Sequence, residues 1–123
     1  MVRRTEQKSA IQSVMRATER PLTPQEVLAL AQVTVPKLGI ATVYRNLKSL
    51  VADGWLSEVA LPGEAARRYE LADQHHHHHF QCRACDRVFD IHACPDDIDE
   101  LVPPGFKVHD HELVMYGHCA DCN

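Results

Sequence analysis

The sequence predicts an α+β fold in two domains, helices leading and strands following, over residues 1–72 and 73–123. Three observations carry this. Amphipathic helix patterns across residues 5–51 give way to two β-like runs; the composition changes abruptly at His75-His76-His77-His78-His79; and two C-x-x-C pairs stand in the second half. A chain of 123 residues, 45% hydrophobic, can fill one ordinary core; split into two lobes, the smaller needs something besides apolar burial to hold it.

The elements follow in order. From Thr5 to Thr18 the residues Ile11, Val14, Met15 and Thr18 recur at helical spacing with Lys8, Gln12 and Arg16 outside, predicting a first helix that Arg20-Pro21 ends. Thr23-Pro24-Gln25-Glu26 supplies an N-cap threonine, a proline at the first helical position and a glutamate three residues after the cap, opening a second helix through Val27, Leu28 and Leu30. Pro36 and Gly39 break the chain. A third helix starts at Ile40, keeps Ile40, Val43, Leu47, Leu50 and Val51 on one face, and closes at Asp53-Gly54. The runs Trp55–Leu61 and Arg67–Leu71, separated by Pro62-Gly63, then read as a β-hairpin. Three helices and a hairpin make a winged helix-turn-helix. In the second lobe Phe80–Cys82 and Val88–Ile91 read as strands, Pro95–Leu101 as a short helix with an acidic face, and Phe106–Tyr116 as one long strand.

Charge is divided between the halves. Residues 1–50 hold eight Lys/Arg against three acids, a net of +5, whereas residues 74–123 hold three against nine, a net of −6. The overall −4 hides a basic half that attracts phosphate and an acidic, His-rich half that attracts cations. In helix-turn-helix folds the last helix enters the major groove and its polar residues reach bases and phosphates. Tyr44 and Arg45 are the candidates for that role, with Thr42, Lys48 and, on the first helix, Lys8 as further DNA contacts. No window approaches a membrane span, and the polar N-terminus does not resemble a signal peptide, so a soluble cytoplasmic protein is expected.

In that reducing compartment five cysteines are poor candidates for a disulfide framework. Cys82-Arg83-Ala84-Cys85 and Cys119-Ala120-Asp121-Cys122 instead offer the four thiolates of a closed tetrahedral structural zinc site. Cys94 is left over, a small thiol more often buried than ligating. If the histidine run is extended, side chains alternate: His75, His77 and His79 face one way and His76 and His78 the other, so that one strand can serve two metal sites. Neutral imidazoles with carboxylates suit zinc, iron(II) or manganese(II), and Glu70, Asp90, Asp97, Asp99 and His111 are the available partners.

Taken together, Thr5-Glu6-Gln7-Lys8, the stretch Leu38-Gly39-Ile40-Ala41-Thr42-Val43-Tyr44-Arg45-Asn46-Leu47, the histidine run leading into Cys82 and Cys85, and His111 with Tyr116-Gly117-His118-Cys119 resemble the ferric uptake regulator family over nearly the whole chain. The resemblance implies an N-terminal winged helix, a C-terminal α/β dimerisation domain, and a homodimer that binds a palindromic operator in double-stranded DNA when a sensed metal, a second zinc, iron(II) or manganese(II), is present. It places a hinge sensor site on Glu70, His77, His79 and Asp90, and a second site on His76, His78, one of Asp97 and Asp99, and His111. Two departures stand out. Pro21-Leu22 occupy the place where the family usually has a histidine before the second helix, and His78 stands where an aspartate is frequent, which enriches the second site in nitrogen.

The expected function is therefore a metal-dependent repressor, with a peroxide-sensing repressor of the same family as the alternative and a metal-storage or delivery protein as a more distant one. No enzyme is expected, and neither a membrane nor a small-molecule substrate as partner. A four-thiolate site has no open position, and the sequence has neither a His-Glu-x-x-His nor a nucleophile motif.

Overall fold

The computed structural model describes residues 4–72 and 74–123, and the chain divides into two compact units, Met1–Gln74 and His75–Asn123. Asp73, where the sequence reading opens the second domain, lies outside the described residues.

The first unit is built from α1 (Arg4–Ala17), α2 (Pro24–Ala31), α3 (Ile40–Ala52), β1 (Leu56–Val59) and β2 (Arg68–Leu71). Each helix commits one face to a single core: Ala10, Ile11 and Met15 from α1, Val27 and Ala31 from α2, and Val43, Leu47 and Leu50 from α3, closed by Leu22, Leu38, Leu56 and Tyr69. The ends are set locally. At α2 the Glu26 N–H donates to the Thr23 hydroxyl at 3.1 Å while the Thr23 N–H donates to the Glu26 carboxylate at 3.1 Å, a complete capping box. At the end of α3 Gly54 takes φ +80°, and the N–H groups of Gly54 and Trp55 return to the carbonyls of Val51 and Leu50, a Schellman closure that turns the chain into β1.

The hairpin is antiparallel with Leu56 opposite Leu71 and Val59 opposite Arg68. Its strands are shorter than the runs in the sequence, because the chain leaves the ladder at Ala60 for a turn through Pro62 and Gly63, where Pro62 has no N–H to pair. The connection between the first two helices supplies a third partner. Leu22 exchanges both backbone hydrogen bonds with Tyr69, at 2.9 and 2.8 Å, so β2 is flanked on both sides. Arg68, Tyr69 and Glu70 are all buried; Arg68 lies 3.8 Å from Glu26 and 3.6 Å from Glu64.

The second unit is a three-stranded sheet in the order β4-β3-β5, with β3 at His78–Cys82, β4 at Val88–Ile91 and β5 at Val114–Gly117. β4 runs antiparallel to β3, with His79 opposite Asp90, and β5 runs parallel to it, with His79 opposite Val114 and Cys82 opposite Gly117. The expected long strand over Phe106–Tyr116 is thus only its last part. Because β3 begins at His78, a parallel neighbour finds ladder partners from about Val114 onward, and the preceding Lys107–Glu112 stretch is too polar to supply a buried face. The expected helix over Pro95–Leu101 shrinks to one 3-10 turn at Ile98–Leu101 with no buried residue. Among the described residues of this unit only His78, Cys82, Val88 and Cys119 are buried.

Candidate metal centres and nucleic-acid interface

The parallel pairing of β3 with β5 assembles the cysteines. Both strands run the same way, so the Cys82-to-Cys85 turn after β3 and the Cys119-to-Cys122 turn after β5 emerge at one end of the sheet. The four sulfur atoms lie within 4.8 Å of one another, and Cys85 and Cys119 are 3.8 Å apart, matching the separation of about 3.8 Å for two thiolates tetrahedrally bound at about 2.3 Å. None of the five cysteines is in a disulfide.

Donors surround these sulfurs. The N–H groups of Cys85 and Cys119 point at the Cys82 sulfur at 3.4 and 3.3 Å and hold its pKa down to about 5. Arg87 donates through Nε to Cys85 at 3.1 Å and through Nη2 to Cys119 at 3.7 Å, which lowers the Cys85 thiol. Hydrogen bonding with Cys119, aided by burial, pushes Cys122 up to about 12, so ligation must displace its proton. The donors stabilise thiolate at Cys82 and Cys85, and four convergent sulfurs fit a thiophilic dication.

The histidine run alternates about the strand. On one face His77 and His79 converge on Asp90, their Nε2 atoms 3.5 and 3.3 Å from its Oδ1 and their rings 4.9 Å apart. The His77 Nδ1–H donates to the His75 carbonyl at 2.8 Å, which makes Nε2 the ring atom turned to the carboxylate, the orientation that a histidine takes toward a cation. Glu70, buried at 5% exposure on β2, belongs to the first unit.

On the other face His76, His78 and His111 gather with Cys94, their donor atoms within 4.8 Å of one another. Among the described residues no acid joins this cluster. Asp97, just before the 3-10 turn, and Asp99, on it, are exposed, while Cys94, passed over in the sequence, lies with the three imidazoles. Burial, followed by the neighbouring imidazoles, holds His78 below the ordinary histidine pKa, so it stays neutral and able to ligate. His75 is in neither cluster, and His92, 5.7 Å from the His77 ring, lies beside the first.

In the first unit Tyr44, Arg45 and Lys48 are exposed on α3 and Lys8 on α1, while Thr42 is half-buried. Arg45 donates to the Thr42 hydroxyl at 3.0 Å and Gln25 to the Tyr44 hydroxyl at 3.4 Å. A recess where the starts of α1 and α3 meet is lined by Arg4, Gln7, Thr42, Arg45 and Asn46. Arg4 and Gln7 were not among the expected DNA contacts, since only the packing of α1 on α3 brings them beside Arg45; Asn46, next to Arg45 on α3, was not among them either.

Comparison with known proteins places this architecture. The "Ferric uptake regulation protein" of Neisseria meningitidis is 34% identical over 110 residues, covering 85% of this chain and 74% of that protein. The "Peroxide operon regulator" of Bacillus subtilis is 30% identical over 125 residues, covering 99% and 85%. The solved structure of the Helicobacter pylori ferric uptake regulator, described as having three functional metal binding sites, superposes with a TM-score of 0.70 at 26% identity over 94% of this chain and 79% of that one. The ferric uptake regulator family itself matches residues 1–116, and the chain belongs to that family of metal-responsive transcriptional regulators.

Proposed function

We propose that this chain is a cytoplasmic repressor that binds a palindromic operator as a metal-loaded homodimer, and that it acts by binding rather than by catalysis. One observation carries the reading: a single strand, β3, presents imidazoles to two separate clusters and ends in a third made of thiols. Cys82, Cys85, Cys119 and Cys122 hold the structural zinc, which supplies crosslinking between the two turns that follow β3 and β5. His77, His79 and Asp90 hold the sensed cation.

Tyr44, Arg45, Thr42 and Lys48 on α3, with Lys8, Arg4 and Gln7 on α1, contact DNA, supported by the net +5 of residues 1–50. The homodimer is supported by the open edge of β5, where Met115 and Tyr116 are 52% and 40% exposed. Localisation in the cytoplasm agrees with five unpaired thiols, and no helix among the described residues is long and apolar enough to cross a membrane.

The test is the double variant His77→Ala, His79→Ala, assayed for operator binding against added zinc, iron(II) and manganese(II). It should keep one thiolate-bound zinc per chain and its oligomeric state, yet lose a metal response of about 1–3 kcal/mol, a coupling that operator DNA exerts equally on metal affinity. A full metal response in the double variant would remove these residues from the sensor.

A further inference from the structure

We propose that Cys94 is the fourth ligand of the cluster formed by His76, His78 and His111, and that this three-imidazole, one-thiolate set makes the site selective for zinc(II) over manganese(II) and iron(II). The inference rests on the family reading only for the idea that the site is regulatory; the ligand assignment stands on the donors themselves.

Their spacing comes first. The Nε2 atom of His76 lies 3.1 Å from that of His78 and 3.2 Å from that of His111. The Cys94 sulfur lies 3.0 Å from His111 Nε2, 3.5 Å from His78 Nε2 and 3.9 Å from His76 Nε2. Tetrahedral ligands at about 2.0–2.1 Å for nitrogen and 2.3 Å for sulfur stand about 3.3–3.6 Å apart, so the contacts bracket a single central ion. Hydrogen bonding accounts for the cluster less well. Each Nε2 carries one proton or one lone pair, yet His76 Nε2 faces two other Nε2 atoms and a sulfur at once, and one proton cannot serve all three. A cation accepts every lone pair together.

The arms of the cluster are independent pieces of backbone. His76 and His78 come from the strand run, Cys94 from three residues beyond the end of β4, and His111 from the approach to β5, where its N–H is fixed by Asp110 at 2.8 Å. Ring packing holds the imidazoles edge to face, with centroids 4.5 Å apart for His76 and His78 and 4.8 Å for His76 and His111.

Selectivity follows from donor chemistry. Among the described residues no carboxylate belongs to this cluster, whereas the His77, His79 and Asp90 set on the opposite face contains one. Manganese(II) favours oxygen donors and iron(II) sites of this kind include carboxylate, while thiolate with imidazole favours zinc, which also stands above both in the affinity order. Four protein donors fill a tetrahedron and leave no position for substrate or water, so the site senses occupancy rather than performing chemistry.

The experiment uses full-length protein whose thiolate site has been filled with one equivalent of zinc. A second equivalent of cobalt(II) should then add a thiolate-to-cobalt absorption band, and a second equivalent of zinc should protect one thiol per chain from iodoacetamide. In Cys94→Ser the added band and the protected thiol should vanish, and zinc affinity at this site should fall about a hundredfold, the upper end of what loss of a supporting group alone causes. Cys94→Asp keeps four donors and should narrow the preference for zinc over manganese(II). A wild-type protein without the added cobalt–thiolate band, or a Cys94→Asp variant with an unaltered zinc-to-manganese affinity ratio, would overturn the proposal. Thiolate-bound cobalt with operator binding indifferent to this site upholds the ligand assignment and overturns only its regulatory role.

Discussion

Removing one thiolate should unfold the second unit and leave the first intact. In that unit the buried described residues are His78, Cys82, Val88 and Cys119, so Val88 is its one fully buried aliphatic side chain. Burying such a side chain contributes about 1.5–3 kcal/mol. A structural zinc contributes on the order of 10 kcal/mol, several times more, and three strands cannot be ordered on the aliphatic contribution alone. Cys85→Ser breaks the tetrahedron and also removes the sulfur that accepts from Arg87 Nε. Losing even a third of the zinc term, about 3 kcal/mol, accelerates amide exchange in β3 and β4 roughly 150-fold. The assay is hydrogen exchange read by mass spectrometry alongside zinc content. Trp55, the sole tryptophan, packs on the first unit's core and reports that unit separately by fluorescence. Exchange rates in His78–Cys82 and Val88–Ile91 that stayed at the wild-type level in a zinc-free variant would refute the argument.

Three further outcomes are expected. Arg87→Ala removes donors to Cys85 and Cys119 without touching a ligand, and should speed zinc loss to a chelator by about 10–100-fold while the strands stay protected in excess zinc. Arg45→Ala should weaken operator binding by about 1–3 kcal/mol and Tyr44→Phe by less, both with unchanged thermal stability because neither side chain enters the core; unaltered affinity and salt dependence in both would move recognition off α3. Burial works to raise the Glu26 pKa from 4.5, but hydrogen bonds from Arg20 and Thr23 outweigh it and leave the carboxyl below that value. A depressed folded-state value means stability that is present above pH 4.5 and lost as pH falls through the lower value. Glu26→Gln should therefore cost about 1–2 kcal/mol at pH 7 and progressively less in acid, as thermal melts across pH will read. A gap between the two proteins that did not change with pH would contradict this.

The local determinants of the first unit were legible in the sequence because each is written within a few residues. The threonine–glutamate capping box, the Asp53-Gly54 closure of α3 and the apolar faces of the three helices depend on short-range hydrogen bonds and on a fixed 3.6-residue period. Likewise the alternation of the histidine run follows from the two-residue period of an extended strand, so that His77 and His79 part from His76 and His78 without reference to anything distant. Other features depend on contacts between residues far apart in the chain. The backbone pairing of Leu22 with the free side of β2 is a partnership that no periodicity in residues 68–71 announces. The shortness of β5 reflects where β3 begins, since a strand can extend only as far as its neighbour offers backbone partners. The proximity of Cys94, rather than Asp97 or Asp99, to the three imidazoles was decided in the same way. By composition the acids are the more ordinary partners for imidazole, but the chain leaving β4 brings Cys94 to His111 while the acids stand exposed, and which donor meets a cation is fixed by position in space, not by residue type.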